Sequence, residues 1–302
     1  MTAPGTRLSY RRRDRTEQEP AVSPLDPDLA DLAEPLRPVD PLDLVDALDP
    51  VDPLDPVDHG DPAVRPAVVE LRQYTLRPGR RDELIELFDR EFVETQEATG
   101  MAVLGQFRDL DDPDRFVWLR GFPDMAARHR SLTDFYGGPV WAEHGPRANT
   151  TMADSDDVLL LRPASARGGL AVTPAARPGA GAPAPDRLVS ATVWSFPPGR
   201  SEGVALIQDG LLPVLRATGP APLAVLTTET APNTFTRLPV RTGENVTVVL
   251  TAYPDEAARR LHVAEVAAHP LARDAVLPGI EREQTGAPHV LRLGPTARSL
   301  IR

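Results

Sequence analysis

Apolar and polar residues alternate along the segment 68–76, and this period of two predicts a β-strand with one buried face. A Pro-Gly pair follows the strand, and apolar residues at helical spacing then predict an amphipathic helix over 80–99. Gly100 is a suitable stop for that helix, because glycine adopts the left-handed backbone conformation at little cost. The region therefore opens with a strand, a turn and a helix.

The same kind of pattern continues through the first half of the chain. Strands are predicted at 101–110, 115–122 and 157–162, and helices at 124–136 and 140–148. The resulting order, βαββαβ, is that of a ferredoxin-like unit. Such a unit covers one face of its sheet with helices, so the other apolar face needs a second layer.

The second half of the chain repeats these signals. Pro198-Gly199-Arg200 repeats Pro78-Gly79-Arg80, and Tyr253-Pro254-Asp255 repeats Phe122-Pro123-Asp124. Strands are predicted at 188–196, 223–229, 245–253 and 289–293, with helices at 200–217 (kinked at Pro213), 254–268 and 271–276. We interpret the repeat as a duplication. The predicted fold class is α+β, with two ferredoxin-like (βαββαβ) halves packed sheet to sheet as an intramolecular dimeric α/β barrel.

The segment 1–66 has a different composition and is predicted to be a disordered acidic, Pro-rich leader. Val-Asp-Pro-like triplets run over 39–59, and three-residue periodicity suits polyproline II rather than helix or sheet. The stretch 21–61 holds eleven Asp and one Glu against one Arg, which accounts for the whole net charge of −11. We prefer a solvated tail, and the alternative is a segment that docks a protein partner. The predicted domains are 67–163 and 187–302, joined by an Ala/Gly/Pro linker at 164–186.

Composition excludes several function classes. The chain has no Cys, which excludes disulfides and thiolate catalysis, and all 33 basic residues are Arg, which excludes Schiff-base lysines. A GC-rich genome is the simplest reason for the absence of Lys. Outside residues 21–61 the charges balance, which argues against a nucleic-acid partner. No stretch is long and apolar enough for a transmembrane helix, and no secretory signal is recognised, so we expect a cytoplasmic protein with no membrane partner.

Polar residues gather on one predicted face of the first half. Glu70, Arg72 and Tyr74 alternate on the first strand, and Trp118 and Arg120 share a face of the third. A pocket with these side chains would suit a planar acidic or phenolic ligand, because Arg pairs with oxygens and stacks on rings. The alternative, which we prefer, is a buried Glu–Arg pair that holds the sheet to a helix.

Histidines add further candidates. Trp141 and His144 share a face of the short helix, and His129 follows Arg128 in the preceding one. His144 could act as a general base or a metal ligand, and His129 could point into the same pocket, although a histidine at the helix surface is the more common case. A stripe of His262, Glu265 and His269 could bind a metal, but it lacks a pair of His at i, i+4, so we expect neither a metal nor a cofactor. The predicted catalytic residues are Tyr74, Arg72, His144 and His129, and the predicted substrate-binding residues are Glu70, Trp118, Arg120, Arg128 and Trp141.

The opening motif Glu70-Leu71-Arg72-x-Tyr74-x-Leu76-x-Pro78-Gly79 resembles that of the NIPSNAP family. The run 116–122, Arg128 and Trp141 are similar to the same family. The resemblance is good over 68–162 and weak over 187–293, where Ser190, Thr192 and Trp194 replace Glu70, Arg72 and Tyr74.

The resemblance implies a dimeric α/β-barrel fold but no settled activity. That superfamily includes cofactor-independent monooxygenases, haem-degrading enzymes and small-molecule tailoring enzymes, and a fold alone does not fix a function. Two hypotheses remain open. The protein is either a small-molecule enzyme, for example a cofactor-independent oxygenase or a tailoring enzyme of secondary metabolism, or a non-catalytic binding protein docked through its leader. We expect a monomer or a homodimer. A closed, apolar cavity surrounded by Arg72, Tyr74, Trp118 and Arg120 would favour the enzyme, and a filled core there would favour the binding protein.

Overall fold

Each predicted apolar run forms a strand in the computed structural model, which describes residues 63–302. The strands are β1 (Val68–Leu76), β2 (Ala102–Asp109), β3 (Arg115–Phe122), β4 (Met152–Pro163), β5 (Leu188–Ser195), β6 (Ala224–Thr228), β7 (Val246–Tyr253) and β8 (His289–Pro295). The predicted leader repeat at 39–59 lies outside the described residues.

Six helical segments pack on the strands within the described part of the chain. Three of them contain no π-helical turn: α2 (Met125–Gly137), α3 (Pro139–Thr151) and α5 (Glu256–Ala268). The others, α1 (81–97), α4 (202–218) and α6 (272–283), each contain a π-helical turn, at Phe88–Phe92, Leu206–Leu211 and Ala272–Val276 respectively. The irregularity predicted at Pro213 is thus a π-helical turn just before it, because proline donates no backbone hydrogen bond to the preceding turn.

The strands close into an eight-stranded antiparallel barrel in the order β1-β3-β2-β8-β5-β7-β6-β4. The chain is therefore a mixed α/β barrel, as the sequence predicts. The predicted packing of the halves into one barrel takes the form of direct strand pairing, since β2 pairs with β8 and β4 pairs with β6. These two pairings satisfy the edge strands of both halves and leave one continuous barrel.

Alternation along the strands separates two layers of core. Inward residues such as Leu71, Leu119, Val189 and Leu250 fill the barrel interior from both halves. Outward residues contact helices in two separate clusters, one in each half. A ligand site between sheet and helices could therefore exist in either half independently.

Some element boundaries differ from the predictions. β4 begins at Met152 rather than at 157, because its acidic start pairs with the end of β1 although acidic residues are poor strand formers. α3 passes Pro146 and continues to Thr151, where Ala148 and Thr151 are buried and hold the last turn against the core. α6 extends to Glu283, well past the predicted end at 276, because Ile280 is buried against the second-half helices.

The segment 164–186, predicted to be a linker, contributes to the barrel. Leu170 and Val172 are buried in the barrel interior, and Val172 forms an isolated antiparallel bridge with Val64. Within residues 63–302, no helix combines the length and the apolar character needed to cross a membrane.

Candidate functional site

The outward faces of β1 and β3 bring the predicted first-half residues together. The antiparallel register sets Glu70 opposite Arg120 and Arg72 opposite Trp118. All four side chains are buried between the barrel and the helices. The strand alternation therefore places them as the sequence pattern requires.

Glu70 is the centre of a buried charge cluster. Its Oε2 accepts hydrogen bonds from Arg72 Nη1 at 2.6 Å and Arg120 Nε at 2.8 Å, and its Oε1 accepts one from Arg128 Nε at 2.7 Å. Burial alone would raise the pKa of the Glu70 carboxyl, but the three guanidinium groups outweigh burial and hold that pKa well below its usual range. The carboxylate is ionised, and the cluster carries an excess of two positive charges.

The arginines of this cluster are largely committed to protein partners. Arg72 Nε donates to Tyr74 Oη at 2.9 Å, and Arg120 Nη1 donates to Tyr136 Oη at 3.3 Å. Arg128 Nη1 donates to Asn233 Oδ1 at 2.9 Å, on the loop before β7. The cluster thus ties β1, β3 and α2 of the first half to a loop of the second.

The space beside this cluster is small. Aromatic rings fill it, with Phe88 and Trp118 centroids 4.8 Å apart and Tyr136 and Trp141 centroids 4.6 Å apart. The remaining cavity measures about 30 Å³ and is lined by Tyr74, Trp118 and Trp141, among others. A volume of that size holds water molecules but no organic ligand.

The two first-half histidines lie outside the cluster. His144 Nε2 is 3.4 Å from a Glu91 carboxylate oxygen, and His129 Nδ1 is 2.6 Å from the Thr234 carbonyl oxygen. Neither lines the small cavity. The structure brings Tyr74 and Arg72 together, but it does not bring either histidine to them.

The second half uses the same register with smaller side chains. Leu188 lies opposite Tyr253 in the β5–β7 pair, as Val68 lies opposite Phe122 in the β1–β3 pair. The corresponding outward residues are Ser190, Thr192, Val249 and Thr251 in place of Glu70, Arg72, Trp118 and Arg120.

The helices that cover the two halves also differ in the size of their side chains. Asp124 caps α2 by accepting from the Ala127 N–H at 2.6 Å, and Asp255 caps α5 by accepting from the Ala258 N–H at 2.8 Å. Counted from these caps, Val266 and Ala267 of α5 occupy the positions of Phe135 and Tyr136 in α2. His262 occupies the position of Ser131 and is the one larger side chain among these three.

These replacements leave a cavity of about 270 Å³ between α5 and strands β5 and β7. Its walls are mostly apolar and include Trp194, Leu211, Leu215, Val249, Val266 and Leu277. Val263 and Val290 line it and are 53% and 39% exposed, so the cavity opens to solvent beside them. We call this space the second-half cavity.

The polar end of the second-half cavity holds a tyrosine–histidine pair. Tyr253 Oη lies 2.9 Å from His262 Nδ1, and His262 Nε2 lies 3.1 Å from the Leu215 carbonyl oxygen. Both side chains are buried, and both line the cavity. Burial raises the pKa of the Tyr253 phenol, while a Thr251 hydrogen bond and the Arg259 charge act in the opposite direction.

The sequence motifs assign no function to this pair, and the stripe of His262, Glu265 and His269 is only a weak signal for a metal site. His262 is engaged at both ring nitrogens by Tyr253 and Leu215. Among residues 63–302, the structure groups no three His, Asp or Glu side chains as a metal site. The available signal was the repeat itself, in which Phe122 becomes Tyr253 and Ser131 becomes His262.

The fold and the sheet-to-helix cavity define a helix-covered antiparallel α/β barrel protein. Within it, residues 69–166 match the NIPSNAP family model, and this part of the chain is a NIPSNAP domain. The match covers the region in which the opening motif and the Glu70 cluster lie.

Two solved structures share the fold, and a third is similar to a part of the chain. An anthrone oxidase-like protein is 14% identical with a TM-score of 0.51, over 78% of this chain and 97% of that one. A candidate monooxygenase from Fusobacterium nucleatum subsp. nucleatum is 9% identical with a TM-score of 0.50, over 80% and 96%. A NIPSNAP-like domain protein from Burkholderia xenovorans is 27% identical over 33% of this chain and 86% of that one, with a TM-score of 0.31. No curated protein matches the sequence.

Proposed function

We propose that this protein binds a small, largely apolar organic molecule in the second-half cavity. The observation that carries the proposal is the difference in volume between equivalent places, about 270 Å³ in the second half and about 30 Å³ in the first. An apolar cavity of roughly 150 Å³ accepts benzene, so the larger cavity has room for a substituted or fused ring.

The proposal assigns different roles to the two halves. Each half is a ferredoxin-like unit, and the pair arose by duplication, which accounts for the shared register of β1–β3 and β5–β7. The first half keeps the NIPSNAP motif and uses Glu70 and its arginines as a rigid structural centre. The second half lost those bulky polar residues and gained space for a ligand.

A catalytic role is the second candidate, and the Tyr253–His262 pair favours it. A buried tyrosine hydrogen-bonded to histidine at the end of an apolar cavity is an arrangement suited to proton transfer. The anthrone oxidase-like and candidate monooxygenase neighbours share the fold and suggest a small-molecule oxygenase or tailoring enzyme as the class to examine.

Two further hypotheses, catalysis at the first-half polar residues and docking through the leader, remain predictions. Catalysis by Tyr74 and Arg72 with His129 or His144 would require the first half to open well beyond its cavity of about 30 Å³. Docking of a protein partner through the leader concerns residues outside those that the structure describes. Neither is supported by the geometry as directly as the second-half cavity is.

The test is calorimetric titration of the full chain with naphthalene and 4-nitrophenol. Val266→Phe together with Ala267→Tyr rebuilds the first-half rings in the second half and should weaken binding by at least about tenfold, or about 1.4 kcal/mol. Leu261→Phe is the matched control, because it adds a ring to the exposed face of α5 outside the cavity and should leave the affinity unchanged. Unchanged binding in the double variant, or no binding by the wild type, would contradict the proposal.

A further inference from the structure

We infer that Tyr253 and His262 form a proton relay and that the ligand of the second-half cavity is a phenol or an enol. The inference rests on the proposed function, because it requires that the cavity hold a ligand. It identifies the ligand by one group, a hydroxyl on an aromatic ring or a conjugated double bond.

The contacts of His262 determine which of its nitrogens carries the proton. The Leu215 carbonyl oxygen can only accept, so His262 Nε2 at 3.1 Å must carry a hydrogen and donate it. In the neutral imidazole Nδ1 is then an acceptor, and the Tyr253 hydroxyl at 2.9 Å is its donor. The Tyr253 hydrogen is therefore directed at His262.

This arrangement of hydrogen atoms determines whether Tyr253 donates a hydrogen bond to a ligand or accepts one from it. With its hydrogen given to His262, the Tyr253 oxygen can only accept; the Thr251 hydroxyl is one donor to it, and its remaining lone pair accepts a hydrogen bond from the cavity side. A ligand hydroxyl satisfies this acceptor, whereas an ether or a ketone oxygen does not. The hydroxyls of Ser190 and Thr251 line the same cavity and offer both donors and acceptors.

The relay moves protons and leaves the electron count unchanged. The ligand O–H bond breaks and its proton passes to Tyr253 Oη, while the Tyr253 proton passes to His262 Nδ1. The products are a ligand oxyanion and a His262 imidazolium, whose Nε2–H still donates to the Leu215 carbonyl oxygen. The neighbouring carbonyl stabilises the imidazolium that forms.

Charged groups near the relay are compatible with an oxyanion. Arg259 lines the cavity and forms a bidentate pair with Glu256, with Nε and Nη2 contacts of 2.8 and 2.7 Å. Arg292 Nη1 lies 3.4 Å from the same Glu256. Arg259 is the charged side chain among the described lining residues, so no carboxylate there opposes an oxyanion.

A purely structural role for the pair is the competing explanation, and the first half argues against it. Phe122 and Ser131 occupy the equivalent positions there, and Ser131 Oγ donates to the Thr99 carbonyl oxygen at 2.7 Å. The first half thus builds the same sheet and helix without a tyrosine–histidine pair. Among the described residues, the tyrosine–histidine pair occurs in the half that has the larger cavity.

The test compares 4-nitrophenol with 4-nitroanisole, which replaces the hydroxyl by a methyl ether. The wild type should bind the phenol about tenfold more tightly and should show the phenolate absorbance at a pH about one unit below that of the free phenol. His262→Gln keeps an acceptor for Tyr253 and a donor for Leu215 but cannot take up a proton. It should therefore bind 4-nitrophenol and lose the absorbance shift, whereas Tyr253→Phe should lose the preference for the hydroxyl.

The outcomes separate the inference from the proposed function. Binding of both compounds with equal affinity and no absorbance shift overturns the relay and leaves the ligand site intact. An absorbance shift that persists in His262→Gln also overturns the relay. Failure of naphthalene, 4-nitrophenol and 4-nitroanisole to bind the wild type overturns both.

Discussion

Glu70 shows how one residue can organise a half of the fold. Its carboxylate accepts hydrogen bonds from three arginines, and the Glu70, Arg120 and Arg128 side chains are fully buried. Removing one member of such a buried group leaves the others uncompensated, which costs more than the group contributes as a whole.

Glu70→Gln should therefore destabilise the protein by about 3–5 kcal/mol in urea unfolding at pH 7. In the wild type, folding lowers the pKa of the Glu70 carboxyl. The contribution of Glu70 to stability is therefore present above the ordinary pKa of 4.5 and is lost as the pH falls below that value. The variant should lack this acid sensitivity. Asp274→Asn, at the exposed pair with Arg273, is the control and should change little. Equal stability of Glu70→Gln and wild type would refute the structural role.

Asp89 is the opposite case, because folding disfavours the ionised form of its carboxyl group. Burial raises the pKa of Asp89 to about 6, against the lowering effect of Arg298, Arg177 and Arg108. Its Oδ1 has no hydrogen-bond partner among the described residues. Because the folded pKa exceeds the ordinary 3.8, folding takes up a proton between these values, and stability should fall as the pH rises from about 4 to 6.

Asp89→Asn should remove this dependence. The variant should be more stable than wild type by about 1–2 kcal/mol at pH 7 and nearly equal to it at pH 4. Thermal unfolding across this pH range measures the difference. A variant that is less stable than wild type at pH 7 would show that ionised Asp89 makes favourable contacts with Arg298.

At the scale of elements, the end of α4 and the middle of α5 are fitted closely to each other. A Cβ on Gly219 would lie 2.5 Å from His262 Cδ2, although the backbone of Gly219 is extended and suits any residue. Gly219 thus lets the His262 ring lie against the end of α4, where the Leu215 carbonyl oxygen accepts its Nε2–H.

Gly219→Ala should displace the His262 ring without straining the backbone. We expect a loss of about 1–3 kcal/mol of stability and loss of the Tyr253–His262 hydrogen bond, visible as a change in the His262 imidazole signals by NMR. Gly137→Ala is the matched control, since a Cβ there meets no atom within 4 Å. Unperturbed His262 signals in Gly219→Ala would mean that α5 moves as a whole to accommodate the methyl group.

At the scale of the whole molecule, the barrel depends on pairing between the halves. β2 pairs with β8 and β4 pairs with β6, and the interior core draws residues from both halves. Neither four-stranded half can bury its inner face alone, because that face is apolar and the opposite half covers it.

A fragment of residues 63–163 should accordingly self-associate or aggregate rather than remain a monomer. Mixed with a fragment of residues 164–302, it should form a one-to-one complex with the circular dichroism spectrum of the intact barrel. Sedimentation velocity distinguishes these states. A stable, monomeric 63–163 fragment would contradict the view that the halves depend on each other.

Much of this architecture follows from local patterns in the sequence. Alternation placed Glu70, Arg72 and Tyr74 on one face, and the repeated Pro-Gly-Arg and Pro-Asp signals marked corresponding strands and helices in both halves. The NIPSNAP motif is likewise legible without coordinates, and the family match over 69–166 confirms it. These features are local, because strand and helix periodicity depends on neighbouring residues.

The closure of the barrel and the existence of the second-half cavity depend on residues that are far apart in the chain. The hydrogen bonds from β2 to β8 and from β4 to β6 depend on strand curvature that no single segment specifies. The second-half cavity is the volume that α4, α5, α6 and three strands leave unfilled. Small side chains such as Ser190, Thr251 and Val266 are equally compatible with a collapsed, filled core. The pairing of Tyr253 with His262 arises in the same way, because side-chain periodicity sets the direction of a residue while tertiary packing sets what it meets.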